Sequence, residues 1–176
     1  MEGLSYKEYM LTQEKLKEFL EYDSETGAFI WKITPVKSRI KVGDVAGGLD
    51  SYGYVLITLQ GKVYKAHRLV WLYVFGAIPL ERFIDHMDGN PSNNRLINLR
   101  EATRSENLMN QNISTKNTSG FKGVHLDKKS GLWHATARLN GKKVYLGRFL
   151  TPEEASITYN DFCQLHHGEF YRDTRL

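Results

Sequence analysis

At 176 residues the chain is slightly longer than one typical domain of roughly 150, which admits one domain or two small ones and excludes a large multidomain enzyme. With 41% hydrophobic and 25% charged residues, a net charge of +4 and a mean hydropathy of −0.46, it has enough apolar material for a core and is no disordered tail. A single cysteine, Cys163, excludes an internal disulfide and the paired thiolates of a zinc ribbon. No stretch reaches the roughly 20 apolar residues that span a bilayer, and the opening MEGLSYKEYMLTQEK lacks the apolar core of a secretory signal. The expectation is a cytoplasmic protein with no membrane contact.

Thr12 is a natural N-cap for a first helix, TQEKLKEFLEYD, whose Leu16, Phe19 and Leu20 form an apolar stripe. From Gly27 to Leu59 the pattern changes to short β-type runs, AFIWKI, DVAG and YGYVLITL, punctuated by glycines and read as hairpins. Gln60-Gly61 is a two-residue turn into KVYKAH, and RLVWLYVFG follows as a short buried helix ended by Gly76. RFIDHM is a strand candidate. The Asn-, Gly- and Pro-rich DGNPSNNRLINLREAT reads as an ordered loop and a short strand. Thr103 and Glu106 make a capping box opening the helix RSENLMNQ.

The polar, aperiodic interval after it, at 113–118, is the expected linker. Three strands then follow, FKGVHLD, LWHATARLN and KKVYLGRF, joined by Ser130-Gly131 and by Asn140-Gly141, a type I′ turn signal. A long amphipathic helix closes the pattern, with Thr151 as N-cap and Pro152 at its first position.

Charge is distributed unevenly. Residues 1–60 carry −2, 61–116 carry +3, and 117–150 carry +6, masked by −3 over 151–176. The basic stretch is interleaved with Phe121, Trp133 and Tyr145, a composition that suits a polyanion because Lys and Arg neutralise phosphates and release counterions.

One neighbourhood concentrates the groups that phosphodiester hydrolysis needs: Asp85, His86, Asn98 and Asn107. Asp85 and the amide oxygen of Asn107 are hard donors for a divalent cation. A neutral His86 can deprotonate an attacking water. Asn98, in the intervening loop, can bond backbone groups and hold the geometry. Asp85 and His86 are adjacent, and adjacent strand residues point to opposite faces, so both can serve one site only at a strand end. His67 is expected to be structural, as are His166 and His167, whereas Arg68, Arg95 and Arg100 are candidates for phosphate contact.

The runs HRLVW, IDHMDGNPSNNRLINLREAT and SENLMNQ closely resemble the HNH endonucleases of bacteriophages, including homing enzymes, with their ββα-metal fold. The resemblance makes His86 the general base, Asp85 and Asn107 the metal ligands, and Asn98 the central residue that fixes the loop. Asn107 stands where many members carry His, which favours magnesium, or manganese, over a softer metal. The run from Ser119 to Tyr171 resembles a second family, the Apetala or ethylene-response-factor type of DNA-binding domain, in which a three-stranded sheet backed by one helix enters the major groove. That resemblance implies DNA contacts at His125, Arg138, Lys143 and Tyr145, with His134 and Thr136 added, and phosphate contacts at Lys122 and Arg148.

The expected fold is therefore α+β: a β-rich N-terminal segment (1–60), a ββα-metal HNH nuclease module (61–112), a linker (113–118), and a three-stranded antiparallel sheet packed on one helix (119–176). The expected activity is metal-dependent nicking of one strand of double-stranded DNA by a monomer with one divalent ion. The alternatives are a noncatalytic DNA-binding regulator with a relic HNH module, and a nuclease acting on RNA.

Overall fold

A computed structural model describes residues 11–35, 38–111, 113, 116–139 and 141–171. Helix α1 (Gln13–Phe19) opens where Thr12 Oγ1 accepts the Lys15 N–H at 3.2 Å. It stops earlier than its stripe predicts. At Leu20 the apolar spacing changes from helical to alternating, and strand β1 (Leu20–Tyr22) pairs antiparallel with β2 (Phe29–Trp31), Leu20 opposite Trp31 and Tyr22 opposite Phe29. The expected last helical residues are thus strand.

A second antiparallel sheet joins β3 (Gly48–Leu49), β4 (Val55–Leu59) and β5 (Lys62–Lys65). Gln60 and Gly61 both take positive φ, 50° and 77°, so the two-residue turn expected there is of type I′. Helix α2 (Ala66–Phe75) follows and ends on Gly76, whose left-handed backbone lets its N–H bond Leu72 O at 2.9 Å. Strand β6 (Phe83–His86) pairs with β7 (Leu99–Ala102), with one 3₁₀ turn at Leu96–Asn98 between them.

The core beneath these elements is formed by Leu16, Leu20, Phe29, Trp31, Ile57, Leu69 and Val70, with Ile84 and Leu99 extending it under β6 and β7. Each such large side chain contributes about 1.5–3 kcal/mol of transfer free energy. That core is the platform on which β6 presents Asp85 and His86.

The chain divides into two compact units, Met1–Glu101 and Ala102–Leu176. This division falls ahead of the interval 113–118, of which 114 and 115 lie outside the described residues. The reason is local to the second unit. Helix α3 (Arg104–Asn110), opened by the predicted Thr103–Glu106 capping box, has its C-terminal carbonyls bonded by Lys122 Nζ, which donates to Met109 O and, at 2.9 Å, to Gln111 O. Those bonds and its packing against the Gly168–Phe170 turn group α3 with the chain that follows it.

The rest of that unit is the expected antiparallel sheet, in the order β10 (Lys142–Phe149), β9 (Leu132–Leu139), β8 (Val124–Asp127), packed on α4 (Pro152–His167). Asn140 of the predicted turn lies outside the described residues; Leu139 and Lys142 face each other across it. Pairing between β9 and β10 shifts register between Tyr145 and Gly147. The core is built from small residues, Ala135, Ala137 and Ala155, around Val124, Tyr159 and Cys163, so α4 lies close to the strands.

Gly123 is the tightest point. Its φ is +72°, and a Cβ there would sit 2.1 Å from two Tyr159 ring carbons and 2.8 Å from Thr136 O. Gly131 has a similar φ of +71° but open space around it. Gly131→Ala should therefore cost about 1 kcal/mol for backbone strain alone. Gly123→Ala should cost at least about twice that, because overpacking adds roughly 1–3 kcal/mol. Urea denaturation of the two variants checks the difference, and equal losses would show that the Tyr159 contact is readily relieved.

Candidate active site

Strand β6 ends at His86, and the chain turns at once: Gly89 N–H bonds His86 O, and Met87 N–H bonds Asn98 O, both at 2.9 Å. The loop between is held by side-chain amides and one carboxylate. Asn98 Oδ1 accepts the Asp88 N–H at 3.0 Å, while its Nδ2 donates to Asp88 Oδ1 and to Asn93 O, each at 2.9 Å. Asp88 also accepts the Asn90 N–H at 2.8 Å and Asn93 Nδ2 at 2.7 Å. A buried amide bonded at both ends fixes a loop in one shape, since each lost bond would leave a desolvated group unpaired.

Asp85 and His86 are both buried at this strand end, with 7% and 6% exposure. Arg100, expected near phosphate, instead faces Asp85: its Nε and Nη2 donate to Asp85 Oδ2 at 3.1 and 3.0 Å. His86 Nε2 lies 3.2 Å from Asn94 Oδ1. Burial pushes the His86 pKa below its ordinary value, against the opposing effects of the Asn94 bond and the Asp88 and Asp85 carboxylates. The ring is therefore neutral near pH 7, as a proton acceptor must be.

Three neighbours of His86 were not evident as such in the sequence: His67, Tyr54 and Asn94. His67 of α2 packs its ring edge-to-face on His86 with centroids 4.9 Å apart, and Tyr54 lies against both rings at 5.5 and 6.1 Å. His67 lacks a carboxylate at a useful spacing, so only the fold reveals its position. Asn94 is one of several asparagines in the loop, and nothing in the spelling separates it from Asn90 or Asn93. Asn107 lies on α3, in the second unit, half-buried, with its N–H on Thr103 O at 3.0 Å.

Among the described residues there is no cluster of three His, Cys, Asp or Glu side chains. The donors fit a hard cation all the same. Asp85, in the first unit, is a carboxylate with several acceptor sites, and Asn107, in the second, carries an amide oxygen; both are hard oxygen donors of the kind magnesium takes.

The second unit gathers most of the other predicted contacts on one face. Across the register His125 faces His134, Thr136 faces Tyr145, Arg138 faces Lys143 and Arg148 faces His134. Ala135 and Ala137 alternate with these and are buried with α4 on the opposite face. The rings of His125, His134 and Tyr145 form a ladder with centroids 5.5 and 5.6 Å apart. Burial, then the Lys143 ammonium and the His134 ring, push the His125 pKa down, so its ring is neutral near pH 7. Lys122 is placed elsewhere, its ammonium bonded to the carbonyls ending α3. His167 Nε2 donates to Arg138 O at 3.0 Å, which gives that histidine a structural role.

A strand-end His beside an Asp, an asparagine-locked loop, a second strand and a following capped helix define an HNH-type nuclease module. Residues 64–109 match the HNH endonuclease family model. Protein 3.8 of Escherichia phage T7 is 42% identical over 111 residues, 63% of this chain and 91% of its own length. A protein of Acanthamoeba polyphaga mimivirus named as an uncharacterized HNH endonuclease is 32% identical over 129 residues, 73% of this chain and 66% of that one. A Bacillus subtilis SPbeta-prophage protein, named as a candidate HNH homing endonuclease, is 31% identical over 99 residues, and the chain spans 56% of its length. No solved structure gives a significant match. The chain belongs to the HNH endonuclease family, whose nucleases generally use a divalent metal ion. The family match ends before the sheet of the second unit. Among the described residues no helix is long and apolar enough to cross a membrane.

Protonation of His67 couples folding to pH. Burial, followed by the His86 ring and the Lys65 and Arg68 charges, pushes its pKa down to about 3. Between pH 6.5 and about 3 the unfolded chain binds a proton there that the folded chain does not. The contribution is whole above the ordinary histidine pKa and is lost as pH falls. In urea denaturation, stability should decline from pH 7 to pH 4, and His67→Phe should make the decline shallower. An unchanged slope would show that His67 titrates normally in the folded state.

Proposed function

We propose that the chain is a metal-dependent DNA endonuclease that nicks one strand of double-stranded DNA by hydrolysing a phosphodiester bond. The observation that carries this reading is His86: a buried, neutral imidazole with Nε2 on Asn94, adjacent to Asp85 at the mouth of a loop locked by Asn98. The Asn94 amide donates its Nδ2 to Ser92 O at 3.1 Å, so its Oδ1 accepts and His86 Nε2 carries the proton. The basic atom of the neutral ring is then Nδ1, which takes the proton from the attacking water, a step worth about 10²–10⁴ in rate. A divalent ion, magnesium or manganese, held by Asp85 and Asn107 would supply charge stabilisation on the phosphate and the leaving oxygen. Arg100 holds the Asp85 carboxylate in a fixed orientation.

The open face of the β8–β10 sheet is the proposed DNA reader, in the manner of the Apetala-type domain that the sequence resembles. Its support is the segregation of His125, His134, Thr136, Arg138, Lys143, Tyr145 and Arg148 away from α4. A tethered second contact raises the effective concentration of the weakly binding catalytic module on DNA. Residues 61–112 and 119–176 act as the catalytic and DNA-binding modules, and the protein works as a monomer inside the host cell of a phage. With one catalytic histidine at the site, a monomer cuts one strand per encounter.

The Asp85–Arg100 ion pair favours one second reading, a noncatalytic DNA-binding regulator, because an already neutralised carboxylate is a poorer cation ligand.

Plasmid nicking in magnesium or manganese separates the two. Wild type should nick and be stopped by chelator, and His86→Ala should lose at least about 10² in rate. Wild type inert with both metals would favour the regulator, and equal nicking by His86→Ala would remove His86 from the chemistry. For the sheet, Arg138→Ala with Lys143→Ala should weaken binding to all DNA sequences and lower the salt slope by about 2. An unchanged slope would place the DNA elsewhere. Point substitutions are preferable here to deletion from residue 117, because such a cut would pass through the second compact unit.

A further inference from the structure

The first 60 residues carry net negative charge and no motif of their own, yet their β1–β2 hairpin touches the loop that holds His86 at two points. Tyr22 Oη donates to Asn94 O at 3.0 Å and accepts the Leu96 N–H at 2.9 Å, so one hydroxyl bridges two backbone groups on either side of Arg95. Its ring is held in turn by Phe29 and Tyr73, with centroids 5.3 and 5.9 Å away. Gly27, in the turn of the same hairpin, has φ +77°, and a Cβ there would stand 2.5 Å from Arg95 N and 2.6 Å from the Asn94 carbonyl carbon. The hairpin turn therefore lies directly on the 94–95 peptide, with no room for a side chain.

What that peptide carries is the Asn94 side chain. Asn94 is 2% exposed; its Nδ2 is on Ser92 O and its Oδ1 on His86 Nε2. Moving the backbone at 94–96 moves the acceptor that decides which ring nitrogen of His86 holds the proton, and a hydrogen bond of 3.2 Å tolerates little displacement.

We propose that Tyr22, together with the side-chain-free approach of Gly27, is a positioning device for His86: it fixes the 94–96 backbone so that Asn94 holds His86 in the Nε2–H tautomer. The hairpin is thus a working part of the site, acting through Asn94 without touching substrate. Its catalytic consequence rests on the nuclease reading, whereas the tautomer does not.

The test uses the full chain labelled with ¹⁵N-histidine, read by long-range ¹H–¹⁵N correlation, in parallel with plasmid-nicking kinetics and thermal melting. Wild type should show His86 as a single Nε2–H tautomer. Tyr22→Phe keeps the ring and its packing but removes the bridge. It should give a mixed or exchanging His86 signal and a kcat lower by roughly tenfold, within the 10–100-fold range of outer-shell partners, with KM within about twofold. Gly27→Ala should do the same from the other side. If Tyr22→Phe fails to fold, Asn94→Ala, which leaves the hairpin ring contacts intact, must produce the same mixed signal. A single unperturbed Nε2–H tautomer in any folded variant of the three overturns the proposal, as does a change confined to KM or melting temperature. Failure of wild type to nick would count against the nuclease reading alone, since the tautomer measurement still decides this one.

Discussion

The amide of Asn98 is the fixed point from which the rest of the site follows. It accepts one bond and donates two, all to the turn that leaves β6, and it does so at 8% exposure, where an unmade bond is costly. Because Asn98 also returns its carbonyl to Met87 N–H, the loop is closed by backbone and side chain of the same residue. With the loop closed, Asn94 has a defined place, His86 has a defined partner, and β7 starts in a defined direction. Remove that amide and the turn leaving β6 loses three bonds at its centre, while the 94–96 segment keeps its contacts with Tyr22 and Gly27.

The elements of this fold were largely legible because their signals are local. Thr12, Thr103 and Thr151 each cap the helix expected of them, Gly76 ends α2, and Gln60-Gly61 makes its turn, since capping and turn chemistry depend on a few consecutive residues. Helix α1 departs from its stripe because pairing of Leu20 and Tyr22 with β2 competes with helical propensity, a contest that only tertiary partners decide. The two-unit division departs from composition for a similar reason. A polar interval reads as a linker, but Lys122 reaches back across it to finish α3.

At the site, the line between legible and hidden runs through sequence distance. Asp85, His86 and Asn98 stand within one short stretch, and their spacing is informative. Tyr22 and Gly27 reach the same loop from more than 60 residues away, and no periodicity marks them. His67 is spelled in plain view, yet its partner is another histidine, so charge logic passes over it. Arg100 was legible as a cation but its nearest anion is Asp85. Chemistry-bearing residue types can be found from spelling; the residues that orient them are found from contacts.

The register shift between Tyr145 and Gly147 sets which side chains of β10 share the open face of the sheet. Side chains on an unbroken strand alternate, so Tyr145 and Arg148, an odd number of positions apart, would leave on opposite sides. One extra residue, Leu146, resets the parity. Leu146 and Phe149 then both turn toward the core, while Lys143, Tyr145 and Arg148 emerge together. A one-residue insertion thus lets a short strand supply three outward polar groups without sacrificing its apolar side, and the width of that polar face is set by a single irregularity in the ladder.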